Sequence, residues 1–244
     1  RYVNYLFRDA CNMEVFPGLT EFRNWYKKAG GSFHYLLGEP LNPKNTVVLD
    51  LCVGSSLSAK MEGVSMEEQR EIMDSFLREN NAEIGVGKYG EARSFYSAKE
   101  FLNNSIDGEE KRTIHLGIDV FAPPGTSIYT PIDGVVHQLQ DNQSELDYGP
   151  TVILRHKITD GPEFYTLYGH LGRECLKQLE IGQVIKGGMQ LTKIGNSNEN
   201  GGWLPHVHFQ LILDLFDYEG NYPGVALPSG KKFWSSICPD PGLM

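Results

Sequence analysis

The 244-residue sequence contains no run of about eighteen apolar residues, which excludes a membrane-spanning helix. Basic residues are scarce: 22 Lys and Arg stand against 31 Asp and Glu, for a net charge of −9. Such a chain lacks the electrostatic footprint of a nucleic-acid binder. Cysteine is scarce too. Cys11, Cys52, Cys175 and Cys238 lie far apart with no C-x-x-C pair, which argues against zinc fingers and redox dithiols. Isolated buried thiols of a reducing compartment are the expectation, with one or two disulfides as the alternative. There is no internal repeat, no low-complexity tract and no basic-then-apolar leader. The chain starts at Arg1 and stops at Pro241-Gly242-Leu243-Met244, so both ends read as cuts from a longer protein. The missing leader favours a cytoplasmic location over a periplasmic or secreted one.

What is abundant is glycine, 27 residues, of which 10 lie in residues 1–110 and 17 in residues 111–244. The two parts also differ in pattern. In the first, residues 19–29 read as a helix stopped by Gly30-Gly31, and the β-branched stretch 46–53 reads as a strand. Ser65-Met-Glu-Glu68 is a capping box, followed by an apolar helix stripe of Ile72, Met73, Phe76 and Leu77. A strand-like stretch follows at 83–96. From Thr113 onward, short strands alternate with Gly, Pro and Asn turns: 113–121, 126–130, 133–140, 150–158, 163–170, 183–186, 190–195 and 206–213. That is an antiparallel, mainly β signature behind an α+β N-terminal region. Residues 1–95 form an N-terminal companion whose role stays open, 96–235 the main domain, and 236–244 a tail or linker.

Two of the histidine contexts carry chemistry. His115-Leu-Gly-Ile-Asp119 opens an expected strand, where residues four apart share a face, so imidazole and carboxylate can converge while Leu116 and Ile118 face the core. His206-Val-His208 repeats the logic at a spacing of two. Two imidazoles, one carboxylate and one open position make a catalytic zinc site, whereas a structural site is more often closed by four ligands rich in cysteine. The competing role for any single histidine is to cap a turn or satisfy a core hydrogen bond.

Three ordered motifs then become specific. His115-Leu-Gly-Ile-Asp119, Tyr168-Gly-His170-Leu171 and Pro205-His206-Val-His208-Phe209 resemble those of LytM/lysostaphin-type zinc metallopeptidases. The connecting text over 119–136, 181–188 and 194–196 is similar too, so the resemblance spans about residues 113–213. It implies a small antiparallel β scaffold with a groove over a metal. His115, Asp119 and His208 would hold Zn2+, and His170 and His206 would be the catalytic histidines. No H-E-x-x-H helix supplies a glutamate base, so imidazoles have to carry the protons. The implied activity is hydrolysis of peptide bonds, most conventionally in peptidoglycan cross-links, by a zinc-activated water.

Around that set, His156 is expected to be structural or to sit behind the ligands, and His137 and His34 to be structural or exposed. Tyr168 either lines the cleft or packs in the core. Trp203 departs from the small or polar residues usual before the histidine pair, and either narrows the groove or forms a platform. The loops 141–149 and 196–202 are expected to wall the groove.

A second resemblance rests on Arg8-Asp-Ala-Cys11, Val48-Leu-Asp-Leu-Cys-Val-Gly-Ser55 and Ile84-Gly-Val-Gly-Lys-Tyr-Gly-Glu-Ala-Arg93. These are similar to the middle of large fusions in which a peptidase-like domain lies between a kinase-like and a class-III aminotransferase domain. That implies covalently fused flanking domains and a cytoplasmic enzyme whose substrate need not be cell wall. The alternative to hydrolysis is a metal-binding or scaffolding domain in such a cytoplasmic enzyme. A lipoyl-type carrier, suggested by Pro131-Ile-Asp-Gly-Val-Val136, fails for want of a modifiable lysine at a hairpin tip.

Overall fold

A computed structural model describes residues 1–94, 102–105, 108–158 and 163–244. The expected boundary at 95/96 and the end of the 83–96 stretch fall outside the described residues. The N-terminal region carries helices α1 (Tyr2–Ala10), α2 (Leu19–Ala29), α3 (Ser56–Met61) and α4 (Met66–Glu79), with strands β1 (Thr46–Leu49) and β2 (Ile84–Gly87). Helix α4 starts where the sequence signals it. The Ser65 hydroxyl accepts from the Glu68 amide at 3.3 Å, and the Glu68 carboxylate accepts from the Ser65 amide at 2.8 Å. Two amides that the first turn leaves without partners are thereby satisfied. Its apolar stripe packs with Leu49, Leu51, Leu57 and Met61 against Phe121 and Leu204.

The remaining strands are short, as the spacing of turn residues dictates: β3 (Leu102–Ser105), β4 (Gly108–Lys111), β5 (Ile114–His115), β6 (Ile118–Phe121), β7 (Ser127–Tyr129), β8 (Gly134–Asn142), β9 (Gly149–Lys157), β10 (Glu163–Gly169), β11 (Val184–Ile185), β12 (Gln190–Lys193), β13 (His206–Ile212) and β14 (Val225–Ala226). Two short helices, α5 (Cys175–Gln178) and α6 (Lys231–Ile237), complete the chain. Eight strands form one sheet in the order β1-β2-β6-β13-β10-β9-β8-β11. Every neighbouring pair is antiparallel except β1 and β2, which run parallel. The fold is mainly β with an α+β N-terminal region, and the N-terminal strands extend the same sheet rather than forming another.

Strand β13 lies between β6 and β10, and all seven of its residues are buried. Its register sets His208 opposite Asp119 on β6 and opposite Gly169 on β10. The expected single strand 113–121 is broken in two. β5 pairs with β14, and β6 joins the main sheet. Gly117 stands at the break, where a Cβ would lie 2.6 Å from the Phe209 carbonyl oxygen and 2.8 Å from the His208 ring. Leu116 and Ile118 consequently enter different cores: Leu116 packs with Phe164 and Ile212, and Ile118 with Val120 and Phe209.

All four cysteines are free thiols. Cys175 and Cys238 are buried, Cys52 is half-buried and Cys11 is exposed. Among the described residues, no helix is long and apolar enough to cross a membrane.

Candidate metal centre and cleft

His115 ends β5, Asp119 sits on β6 and His208 on β13, and all three are buried. Their donor atoms converge. His115 Nε2 lies 3.0 Å from His208 Nδ1 and 3.2 Å from Asp119 Oδ1, and His208 Nδ1 lies 3.0 Å from the same oxygen. Outer partners fix which nitrogen carries each proton. The Lys88 carbonyl can only accept, so His115 Nδ1–H donates to it at 3.2 Å and leaves a lone pair on Nε2. The Gln210 amide donates to the Pro223 carbonyl at 3.1 Å, so its Oε1 accepts from His208 Nε2–H at 2.9 Å and leaves a lone pair on Nδ1.

Three donor atoms therefore face one point, with the outer nitrogen of each imidazole engaged elsewhere. Burial pushes the His115 imidazole down to about 4, so it is neutral near pH 7. Burial opposes the Asp119 charge, but the His115 imidazole, cationic in the acid range where a carboxyl titrates, and the Arg93 guanidinium outweigh it and hold the carboxyl well below its ordinary value. Two neutral imidazoles and a carboxylate are the donor set zinc takes. Edges of 3.0–3.2 Å also suit a tetrahedral centre with bonds of about 2.0–2.1 Å. The residues fit the ion.

His170 and His206 adjoin this set. Their ring centroids are 4.2 Å apart, and His206 Nε2 lies 3.8 Å from Asp119 Oδ1. His206 Nδ1–H donates to the Leu204 carbonyl at 2.6 Å and His170 Nδ1–H to the Asn200 carbonyl at 3.0 Å. Burial lowers both pKa values, His170 well below its ordinary range, with His206 beside His170 adding to that shift. Both rings are thus neutral near pH 7. His170 adopts φ 62, the left-handed region that costs a non-glycine residue about 1–2 kcal/mol, where β10 ends and the chain turns into the cleft.

Residues 113–217 match Peptidase family M23. They form a peptidase family M23 domain. Over 100 residues the chain is 33% identical to the peptidoglycan DD-endopeptidase ShyC of Vibrio cholerae, covering 41% of this chain and 20% of that protein. Over 116 residues it is 32% identical to the DD-carboxypeptidase/endopeptidase Mpg of Neisseria meningitidis serogroup B, covering 48% and 24%. The chain thus spans about a fifth to a quarter of the length of these curated relatives. Among solved structures, the catalytic domain of the prophage-encoded M23 protein EnpA from Enterococcus faecalis is 24% identical, with a TM-score of 0.37, covering 56% of this chain and 84% of that one. ShyC is named for peptidoglycan, so the expected cytoplasmic location gains no support from the comparison.

The M23 domain opens to solvent through a cavity of about 570 Å³, a size usual for small-ligand sites. Trp203 lines it, set edge-on to the His170 ring at 6.2 Å. Residues 144–148 form one wall, and Leu51, Met61 and Gln69, all from outside the matched segment, form part of another. The loops 141–149 and 196–202 touch: the Leu146 amide donates to the Gly201 carbonyl at 2.9 Å.

Tyr168 and His156 do not line this cavity. Tyr168 is fully buried behind the sheet against Phe209, its hydroxyl 3.3 Å from that of Thr166, because alternation along β10 sends its side chain into the core. His156 is buried against Phe164. Its Nδ1–H donates to the Asp133 carbonyl at 2.8 Å, and its Nε2 accepts from the Thr166 hydroxyl at 2.7 Å.

Two cleft residues are not singled out by the sequence, although Tyr148 falls in the loop 141–149 expected to wall the groove. Tyr148 lines the cavity with its ring 5.3 Å from that of His208 and 5.5 Å from that of His170. Its one sequence signal is a lone aromatic in an otherwise polar loop. Arg93 donates from Nη1 to Asp119 Oδ2 at 2.5 Å, and nothing local in the sequence marks it.

Proposed function

We propose that the chain is a zinc-dependent metallo-endopeptidase acting on peptidoglycan-type peptides, with His115, Asp119 and His208 as metal ligands. The convergence of His115 Nε2, His208 Nδ1 and Asp119 Oδ1 on one buried point carries this reading, since two imidazole nitrogens and a carboxylate oxygen are a donor set that zinc takes. Zinc there supplies Lewis acidity, polarising the scissile carbonyl and activating water. His170 and His206 keep Nε2 as a proton acceptor, because Nδ1 of each is engaged with a backbone carbonyl. Either ring can take a proton from the attacking water at Nε2 and return it to the departing amine. Trp203 and Tyr148 border the same cavity and fix where a peptide lies. The peptidoglycan part of the proposal follows the names of the relatives.

The test is metal analysis of the purified protein, followed by digestion of muropeptides and non-cell-wall peptides read by mass spectrometry. One zinc per chain and cleavage of cross-linked peptides are expected, and both are lost in His115→Ala. Undiminished zinc in that variant defeats the ligand assignment. Cleavage of other peptides alone moves the substrate away from peptidoglycan.

A further inference from the structure

The candidate metal centre takes contacts from outside the M23 segment. Asp119 divides its carboxylate: Oδ1 faces His115 and His208, and Oδ2 accepts from Arg93. Arg93 lies twenty residues before the matched segment begins, is 1% exposed, and forks onto Glu91. Its Nε and Nη2 donate to Glu91 Oε2 at 3.2 and 3.1 Å. The other Glu91 oxygen accepts from the Leu51 amide at 3.2 Å and faces Lys88 Nζ at 3.4 Å. Gly87, on β2, leaves the space: a Cβ there would lie 2.7 Å from Arg93 Nη2. Lys88, next in the chain, gives its carbonyl to His115.

We propose that Arg93 is a positioning residue for the metal centre, clamped by Glu91, which holds Asp119 Oδ2 so that Oδ1 alone is presented to zinc. A planar guanidinium suits the task, because its fixed fork gives Nε and Nη2 to Glu91 and Nη1 to Asp119 in one rigid plane, a geometry that a single ammonium nitrogen does not reproduce. Ligating carboxylates are commonly oriented by such outer partners, and removing one typically costs about 10–100-fold in metal affinity. The buried trio of Glu91, Arg93 and Asp119 carries a net single negative charge, which leaves Asp119 anionic toward a cation. The segment preceding the M23 domain therefore contributes to metal binding, through Arg93 and the Lys88 carbonyl.

This inference rests on the zinc reading above. The test measures zinc affinity by chelator competition, and the visible spectrum of the Co2+-loaded protein, in wild type and in Glu91→Gln/Arg93→Gln. The double change keeps the net buried charge, avoiding the uncompensated carboxylate that Arg93→Gln alone would leave. Zinc affinity is expected to fall about 10–100-fold, with a shifted cobalt spectrum and a folded metal-free state by circular dichroism. A folded double variant with wild-type affinity and spectrum overturns the proposal while leaving the zinc reading intact. A wild type that binds no zinc overturns both. If the double variant does not fold, Arg93→Lys carries the test. Lysine keeps the charge but loses the planar fork that fixes Asp119 Oδ2 against Glu91, so affinity falls severalfold, and a folded lysine variant with wild-type affinity and spectrum overturns the proposal.

Discussion

Gly224 approaches Tyr148 so closely that a Cβ on residue 224 would lie 1.9 Å from the phenol oxygen. The tyrosine can stand in the cleft beside His208 only because residue 224 has no side chain. Gly224→Ala is therefore expected to destabilise the fold by about 1–3 kcal/mol, as overpacking generally does. Tyr148→Phe removes the clashing oxygen, so the two changes should be non-additive in a double-mutant cycle read by denaturant unfolding. Strict additivity would mean that the phenol does not fill this space.

Removing either cleft imidazole should separate metal binding from turnover. His170→Ala and His206→Ala are expected to retain zinc and to lose about 10²–10⁴-fold in kcat, the usual contribution of a positioned acid–base group. Metal analysis and steady-state kinetics on one preparation check this. Loss of zinc from His170→Ala would place that residue among the ligands.

Zinc removal should be visible as stability as well as activity. An ion bound only by the folded chain at a hundred times its Kd adds about 2.7 kcal/mol. Chelation is expected to lower the unfolding midpoint, and added zinc to restore it. His115→Ala should unfold at the same midpoint with and without chelator.

Acid should expose the cost of burying His156. Burial pushes its pKa down to about 4, from an ordinary 6.5 in the unfolded chain. A base depressed on folding is neutral in both states above pH 6.5, so its full contribution to stability is present there. As pH falls from 6.5 to 4, the unfolded chain takes up a proton that the folded chain refuses. About 3 kcal/mol is lost over that window. His156→Gln keeps a donor and an acceptor without titrating. Its stability is expected to fall less steeply between pH 7 and 4, measured by urea unfolding of the metal-free protein.

The spacing expected His115 and Asp119 to converge, and they do, by another route than the one expected. His115 and Asp119 meet, but not as two residues on one face of a strand. The chain breaks at Gly117, and the pair closes across the corner between β5 and β6. The H-x-H spacing did behave as a strand predicts, since β13 is regular and central. Tyr168 shows the limit of motif reading: its place beside Gly169-His170 left cleft and core both open, and alternation along β10 decides for the core. Arg93 was invisible for a different reason. Its partner is 26 residues away, and a buried arginine looks no different from a surface one in a sequence. The parallel pairing of β1 with β2 was equally hidden, because a strand's pattern does not name its neighbour.

The contact between Leu146 and Gly201 has a practical corollary for anyone retargeting this domain. Gly201 has φ 82, and a Cβ there would lie 2.1 Å from the Asp147 carbonyl oxygen, so neither loop can be redrawn without the other. The two rims of the mouth behave as one cast piece. Libraries that randomise a single rim will mostly sample broken frames, and new selectivity has to be sought by exchanging both rims together.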